Sequence, residues 1–180
     1  MREKLKNIYQ TKRLILAPVT INDAPNMFEY SSNPENAYYV FETNKTLDET
    51  KSIIRKIFIE NGLGKYGIFL NKKLIGTIYF LNIDDHNKSA EISYVLNKKF
   101  EGKGYATEAA SKLRDVFFEE IGGERLYARH TFDNIKSMNL MARIGMKVEG
   151  TLRKAYYFHG QQVDLAIWSI TSDDLLFGRR

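Results

Sequence analysis

Apolar residues along the chain change their spacing several times, and each change predicts a new element. The run KRLILAPV is typical of a short strand, and apolar positions at helical spacing follow Thr20 and Thr46. Asn33-Pro34 ends the first of these helices, because the residue before proline avoids helical backbone. Thr46 and Glu49 have the spacing of a capping box at the start of the second. We therefore predict one strand and two helices for the first third.

The middle of the chain changes to the two-residue period of strands. Two apolar runs, YGIFL and LIGTIYFLNID, flank Asn71-Lys72-Lys73 and predict a hairpin. The run SAEISYVL predicts a further strand, so that three strands form a meander. A helix is predicted from about Gly104 to Ile121, since apolar residues recur on one face there.

The last third predicts a strand, a helix and a long hairpin. The strand is ERLYARHT, the helix is NIKSMNLMARIG, and the hairpin turns at His159-Gly160. The full order predicts an α/β fold with a mixed, mostly antiparallel sheet of about seven strands and about four helices. No repeat or linker interrupts the 180 residues, so we predict one domain over residues 1–180.

Composition narrows the classes of protein. No apolar run approaches the roughly 18 residues that a membrane helix needs, and the first residues lack the apolar core of a signal peptide. We therefore predict a cytoplasmic protein without a membrane partner. Cysteine is absent, which excludes disulfides and a cysteine nucleophile. The three histidines, His86, His130 and His159, lack metal-binding spacing, so we predict no metal site.

The net charge of +5 favours anionic partners such as nucleotides, acidic proteins or RNA. The basic residues are spread over pairs such as Lys72-Lys73, Lys98-Lys99 and Arg179-Arg180. Such scattered pairs are also typical of a solvated surface, and we predict no DNA partner.

The stretch FEGKGYATEA, which begins at Phe100, lies between a predicted strand and a predicted helix. The first amides of a helix lack internal partners and, with the helix dipole, can bind an anion. The stretch contains no GxxxxGK[ST] string, and Thr107 stands where a GxGxxG fingerprint needs its third glycine. A phosphate site of another kind and an ordinary glycine turn both remain open.

The same stretch resembles the acetyl-CoA pyrophosphate loop of the GNAT family of N-acetyltransferases. The family pattern is Gln or Arg, two residues, Gly, one residue, then Gly or Ala. Here Gly104 and Ala106 match, whereas Glu101 departs from the pattern and cannot donate a hydrogen bond to phosphate. The resemblance implies acetyl-CoA as cosubstrate, bound through the backbone of Gly102, Lys103, Gly104, Tyr105, Ala106 and Thr107.

The resemblance also implies a sheet that splays between its fourth and fifth strands, ISYVL and LYARHT. The backbone around Val95 and Leu96 would bind the pantetheine arm there. Asn134 and Ser137 match the family's NxxS element, which implies that Asn134 bonds the arm and Ser137 bonds the departing thiolate. Met141 stands where many members have a tyrosine acid, which favours Ser137. Both residues are also common helix caps.

The group that removes the amine proton is open. Glu91 is the nearest acidic residue by position, and it shares a strand face with Ser93 and Val95. Tyr156 matches the place of a glutamate base in some family members, but tyrosine is a poor base at neutral pH. Either Glu91 acts through water, or the amine arrives neutral. His130 is a third candidate on its chemistry.

Nearly the whole chain resembles the branch that acetylates N-termini of ribosomal proteins. This implies direct acetyl transfer to a primary amine, with a protein N-terminus as the favoured acceptor. The alternatives are a small amine such as a polyamine, amino sugar or antibiotic, and a noncatalytic CoA-binding or RNA-associated module. The segments NAYYVF and AYYFHG are candidate walls of the acceptor site, and a homodimer remains open.

Overall fold

The computed structural model describes residues 1–39 and 42–177, and its centre is one mixed sheet. Within these described residues, eight strands lie in the order β1-β2-β3-β4-β5-β6-β8-β7, and only β5 and β6 pair in parallel. The predicted α/β class and mostly antiparallel sheet are confirmed. The strands are β1 (Tyr9–Gln10), β2 (Ile15–Ala17), β3 (Lys65–Leu70), β4 (Lys73–Asp84), β5 (Ser89–Leu96), β6 (Arg125–Thr131), β7 (Lys147–Phe158) and β8 (Gln161–Thr171). The additional strand is β1, whose two residues are too few to show a period.

Six helices accompany the sheet in the described residues, where four were predicted. They are α1 (Ala24–Ser31), α2 (Pro34–Ala37), α3 (Leu47–Ile53), α4 (Tyr105–Asp115), α5 (Ile135–Arg143) and α6 (Ser172–Phe177). The short α2 and α6 were not predicted. Asn33-Pro34 does end α1, but it also starts α2, because the Asn33 side chain accepts the N–H of Glu35 at 2.9 Å. None of these helices is long and apolar enough to cross a membrane.

Local signals at the ends of elements behave much as the sequence indicates. Thr46 Oγ1 accepts the N–H of Glu49 at 3.1 Å, as in a capping box. The returning bond from the Glu49 carboxylate goes to the N–H of Lys45, at 2.6 Å, rather than to Thr46. The β3–β4 hairpin turns through Asn71 and Lys72, with φ of 48° and 69°, so Lys73 already belongs to β4.

The two faces of the sheet carry separate hydrophobic clusters. The larger cluster lies under α4 and α5, and the smaller lies under α1 and the start of the π-helical turn that continues α3. Along β5, Ile92 packs in the first cluster and Val95 in the second. Side chains of β5 therefore alternate between the α4–α5 face and the α1–α3 face. This alternation decides which helices each side chain can contact.

Pairing between β5 and β6 stops early, which opens a fork in the sheet. The last parallel pair joins Glu91 to Tyr127, although β5 continues to Leu96 and β6 to Thr131. The predicted splay is confirmed. Because β1 was not counted in the prediction, the predicted fourth and fifth strands are β5 and β6.

One carboxylate ties α1 to β4 and to the short 3-10 turn that follows β5. Glu29 accepts hydrogen bonds from Lys99 at 2.6 Å and from Lys73 at 3.0 Å. The Lys99 bond, followed by the Lys73 bond, lowers the pKa of Glu29 to about 2. The pKa is lowered on folding, so Glu29 contributes stability above its ordinary pKa, and that contribution is lost as the pH falls.

We predict that Glu29→Gln lowers the free energy of unfolding by about 1 kcal/mol at pH 7, since the carboxylate is partly exposed and screened. The difference from the parent should shrink as the pH falls from about 4.5 towards 2, because the unfolded parent binds a proton at Glu29 before the folded parent does. Urea unfolding at several pH values measures this. Glu60→Gln, which changes an exposed carboxylate, is the control and should change the free energy of unfolding little. A difference that stays constant with pH contradicts the prediction.

Candidate active site

A cleft of about 1430 Å³ opens in the fork between β5 and β6. The first turns of α4 and α5 and the far part of β7 close its sides. It brings together the predicted site residues Glu91, Val95, Leu96, Gly102, Gly104, Tyr105, Ala106, Thr107, Asn134, Ser137 and Tyr156. Lys103 does not line it; the Lys103 ammonium lies over the Phe100 ring, 5.9 Å from its centroid.

The register of β5 on β4 decides which backbone groups face the cleft. The N–H of Asn97 donates to the carbonyl of Ile75 at 2.8 Å, and Val95 is paired with Thr77. In an antiparallel pair such bonds recur at every second residue. The backbone groups of Val95 therefore point to β4, where a Cβ added to Gly76 would lie 2.3 Å from the Val95 carbonyl oxygen.

The backbone groups that face the fork are those of the alternate residues, including Tyr94 and Leu96. The backbone groups of Tyr94, rather than those of Val95, therefore face the fork, and contact of either residue with a cofactor stays a prediction. The carbonyl of Leu96 already accepts the side-chain amide of Asn36 at 2.8 Å. The N–H of Leu96 and both backbone groups of Tyr94 are left to meet an extended, amide-bearing ligand.

The glycine loop ends in a helix start that suits an anion. Gly102 and Gly104 have φ of 76° and 78°, a left-handed conformation in which glycine carries no steric cost. Gly104 is the N-cap of α4 and supplies no side-chain cap. The N–H groups of the first turn, from Tyr105 to Thr107, therefore remain for an external acceptor, which fits a diphosphate.

A residue far away in the sequence fixes this loop from outside. The Arg13 guanidinium donates to the Glu108 carboxylate at 2.6 Å and to the Lys103 carbonyl at 2.9 Å. Glu108 also accepts the hydroxyl of Thr11 at 2.6 Å. Burial acts to raise the pKa of Glu108, but the bonds from Thr11 and Arg13 outweigh it, and the pKa is lowered. The first turn of α4 is thereby held to the segment before β2.

Glu101, the departure from the family pattern, has a partner across the cleft. Its carboxylate lies 2.5 Å from the Lys136 ammonium in the first turn of α5. The negative charge that would oppose a phosphate is thus paired. The pair also brings a lysine to the same end of the cleft as the glycine loop.

The NxxS residues have different local roles. The Asn134 side chain accepts the N–H of Ser137 at 3.1 Å, so Asn134 is the N-cap of α5. Its additional contact with a cofactor stays a prediction. Ser137 is not a cap, and its hydroxyl lies 2.7 Å from the Tyr94 hydroxyl. Burial raises the pKa of Tyr94 to about 12.

Glu91 lies at the apex of the fork and is almost fully engaged. Its two oxygens accept Arg129 Nε at 2.9 Å, Arg129 Nη2 at 2.8 Å and Asn82 Nδ2 at 3.0 Å. The bonds to Glu91 raise the pKa of Arg129. Both carboxylate oxygens already accept hydrogen bonds, so an incoming proton would have to displace one of these donors. The geometry therefore favours Glu91 as a brace of the fork, and an amine that arrives neutral.

A bulge aims Tyr156 into the cleft. Between Leu152 and Tyr156, three residues of β7 oppose the single residue Asp164 of β8. Lys154 has φ of 48° there, and its N–H donates to the Asp164 carboxylate at 2.7 Å. Tyr156 stacks on Phe158, with 5.7 Å between ring centroids. This position suits a wall of the acceptor site, and a catalytic role for Tyr156 stays a prediction.

The two predicted acceptor walls meet. The Tyr38 ring stacks on the His159 ring at 4.7 Å between centroids, and His159 Nε2 lies 3.1 Å from the Tyr38 carbonyl. The adjacent Tyr39 hydroxyl donates to the Asp133 carbonyl at 3.3 Å. The last two residues of NAYYVF, like Arg179-Arg180, lie outside the described residues.

His130 lies on the α4–α5 face of the fork. It is 6% exposed, and its Nδ1 lies 2.7 Å from the carbonyl of Thr131. Glu91 and Arg129 lie on the opposite face, because adjacent strand positions alternate. His130 is therefore on the side of Ser137 rather than beside the acceptor walls. The described residues contain no cluster of three or more side chains suited to a metal ion.

Three residues of the site carry no signal in the sequence. Tyr94, Arg129 and Asn36 bond partners that lie 43, 38 and 60 residues away along the chain. Neither spacing nor periodicity can indicate such pairs, since each depends on the register of β5. Their contacts become visible only once the fork is built.

These parts define a class of protein. A fork with unpaired backbone fits the amides of a pantetheine arm, an uncapped helix start fits its diphosphate, and a hydroxyl pair lies between them. This is the site of an acetyl-CoA-dependent acetyltransferase.

Comparison with known families identifies the class further. A family model described as an acetyltransferase (GNAT) domain matches residues 13–147. The chain therefore belongs to the GNAT acetyltransferase family. An uncharacterized N-acetyltransferase, YoaA, of Bacillus subtilis is 32% identical over 91% of this chain and 96% of its own length.

Relatives with named acceptors differ from one another. A putative ribosomal N-acetyltransferase, YdaF, of Bacillus subtilis is 37% identical over 61% of this chain and 60% of its own length. A spermidine N(1)-acetyltransferase of Vibrio cholerae is 23% identical over 72% of this chain and 75% of its own length. The structure of the microcin C7 self-immunity acetyltransferase MccE, in complex with acetyl-CoA and AMP, matches with a TM-score of 0.78 and 26% identity, covering 89% of this chain and 93% of that one.

We predict that Gly104→Val weakens CoA binding at least 10-fold, because a β-branched residue resists φ of 78° and would displace the first turn of α4. Glu101→Gln should change the dissociation constant less than about 3-fold, since its exposed ion pair contributes little. Isothermal titration calorimetry with CoA measures both. Gly160→Val, also at positive φ but in the β7–β8 turn, controls for backbone strain. A larger effect at Glu101 than at Gly104 would show that the side chain, rather than the amides, governs binding.

Proposed function

We propose that this enzyme transfers acetyl from acetyl-CoA to the amine of a protein N-terminus, of the ribosomal-protein type. The observation that carries the proposal is the charge state of the cleft. Among the described residues, each carboxylate that lines the cleft is ion-paired except that of Asp133. The pairs are Glu35 with Lys98, Glu91 with Arg129, Glu101 with Lys136, and Glu108 with Arg13.

Paired carboxylates argue against a polycation as acceptor. A polyamine carries several ammonium groups, and binding them favourably requires carboxylates that are free to pair with them. In this cleft such pairing would first break existing ion pairs, as at Glu35 and Glu91. A peptide N-terminus brings one amine and a neutral backbone, which the aromatic walls suit better.

The ionisation of the acceptor supports the same choice. An α-amino group loses its proton near pH 7.7–8.0, whereas a lysine-like amine does so near 10.4. At pH 7.5 roughly a third of α-amines are neutral, against about one in a thousand alkylamines. A site whose nearest carboxylate, Glu91, already binds Arg129 and Asn82 works best with the more acidic amine.

The residues then divide the work of one direct transfer. The neutral acceptor nitrogen bonds the acetyl carbon, the carbon–sulfur bond breaks with its electron pair leaving on the CoA thiolate, and the nitrogen gives one of its two protons to water. The chain has no cysteine, so no thiol of the enzyme carries the acetyl group. In this proposal the N–H of Leu96 polarises the carbonyl, and Ser137 donates a hydrogen bond to the sulfur as negative charge develops.

The relatives support an N-acetyltransferase of this kind, but they do not determine its acceptor. The putative ribosomal N-acetyltransferase YdaF is more similar than the spermidine enzyme, but it aligns with a smaller share of the chain. The net charge of +5 suits a partner on the ribosome, and it equally suits the alternative of an RNA-associated module.

We predict that thiol release from acetyl-CoA is fastest with N-terminal peptides. At pH 7.5, kcat/KM for an unblocked peptide should exceed that for spermidine or an aminoglycoside at least 10-fold, because only its amine is substantially neutral. The same peptide with an acetylated N-terminus and an internal lysine is the control and should release little. Faster release with spermidine supports the small-amine alternative. CoA binding without release for any amine supports the noncatalytic module.

We further predict that Glu91→Gln keeps the acidic limb of the pH profile. With a neutral amine as substrate, kcat/KM rises with pH through the ionisation of the amine, and this limb belongs to the substrate. The substitution should still lower kcat, because it removes the charge that holds Arg129. Loss of the acidic limb in Glu91→Gln, measured with the same peptide, would restore Glu91 as the base.

A further inference from the structure

The contact between Tyr94 and Ser137 joins the open strand of the fork to the helix that carries the leaving-group residue. The two hydroxyl oxygens lie 2.7 Å apart, and Tyr94 Oη lies 3.4 Å from the Ser137 carbonyl. We propose that Tyr94 is a positioning residue that directs the Ser137 hydroxyl hydrogen into the cleft. The inference rests on the proposed acetyl transfer and assigns a role within it.

Two roles are open to a tyrosine at this distance. Tyr94 could pass its proton through Ser137 to the leaving thiolate, or it could keep the proton and donate a hydrogen bond to Ser137. Burial raises the pKa of Tyr94 to about 12, whereas a thiol ionises near 8.5. Net proton transfer from Tyr94 to the thiolate is therefore unfavourable by roughly 10³-fold or more. Tyr94 keeps its proton and acts as a donor.

Donation from Tyr94 fixes the direction of the serine hydrogen. When the Tyr94 hydroxyl donates to Ser137 Oγ, the Ser137 hydrogen is free to point to the sulfur. The opposite arrangement turns the Ser137 hydrogen away from the cleft and leaves Tyr94 with the weak 3.4 Å contact to the Ser137 carbonyl. A developing negative charge on sulfur favours the first arrangement. In that arrangement the hydrogen bond from Tyr94 to Ser137 and the one from Ser137 to sulfur form a chain, and each strengthens the other.

The fold explains why Tyr94 can hold this position. Its backbone groups face the fork, while its side chain packs with the cluster under α4 and α5. Tyr94 thus links the strand that would bind the pantetheine arm to the Ser137 hydroxyl, which would donate a hydrogen bond to the thiolate. A small shift of β5 relative to α5 would misdirect Ser137, which gives Tyr94 a role in aligning the two.

The test is a double-substitution cycle on Tyr94→Phe and Ser137→Ala. With the best peptide acceptor, Tyr94→Phe should lower kcat about 10-fold and Ser137→Ala about 10²-fold. The double variant should match Ser137→Ala alone, since Tyr94 acts through the serine. The CoA dissociation constant should change less than about 3-fold in all three. Without any ligand, the two substitutions should lower Tm by less in combination than the sum of their separate effects.

Tyr66→Phe is the matched control, because Tyr66 is also buried and its hydroxyl donates to the Lys6 carbonyl at 2.9 Å, away from the cleft. It should lower Tm while leaving kcat unchanged. An unchanged kcat in Tyr94→Phe, or losses that multiply in the double variant, would overturn the assignment. If the parent enzyme releases no thiol with any amine, the proposed function fails. The Tm cycle then still reports whether the two hydroxyls are coupled.

Discussion

The site depends on the end of pairing between β5 and β6 after Glu91 and Tyr127. Beyond that point two strands carry backbone groups that the sheet does not satisfy, and buried backbone groups need partners. The ion pair of Glu91 with Arg129 braces the apex, so the fork remains open without losing its register. Asn36 satisfies the carbonyl of Leu96 at the open end. The fold thus supplies an extended ligand with a place beside a strand, and backbone contacts of this kind do not depend on which side chains the strand carries.

The fold was largely predictable from the sequence because its signals are local. Hydrophobic period, the Asn71-Lys72 turn and the Thr46 cap each act within a few residues, and the structure confirms the elements they indicate. The site was only partly predictable. The glycine loop and the NxxS element are local patterns, but the backbone phase at Val95 follows from its register on β4. A shift of one residue in that register would turn the backbone groups that face the cleft toward β4, and those that face β4 toward the cleft.

Charge in the cleft illustrates a second limit. Counting residues gives a basic chain, whereas in the described part of the cleft each carboxylate except that of Asp133 is neutralised by an ion pair. From the sequence alone, the negative charge of Glu101 would be expected to repel a phosphate. In the structure that charge is paired with the Lys136 ammonium. Net charge therefore describes how the whole surface attracts partners, and it says little about the chemistry of the cleft.

The contact of Arg13 with Glu108 and Lys103 gives the N-terminal segment an unexpected importance. The glycine loop, which is predicted to bind the diphosphate, is more than 90 residues away along the chain, yet its outer support begins at Thr11. Trimming the chain through Thr11 and Arg13, or fusing an affinity tag close to them, would disturb the support of the glycine loop, although neither residue lines the cleft.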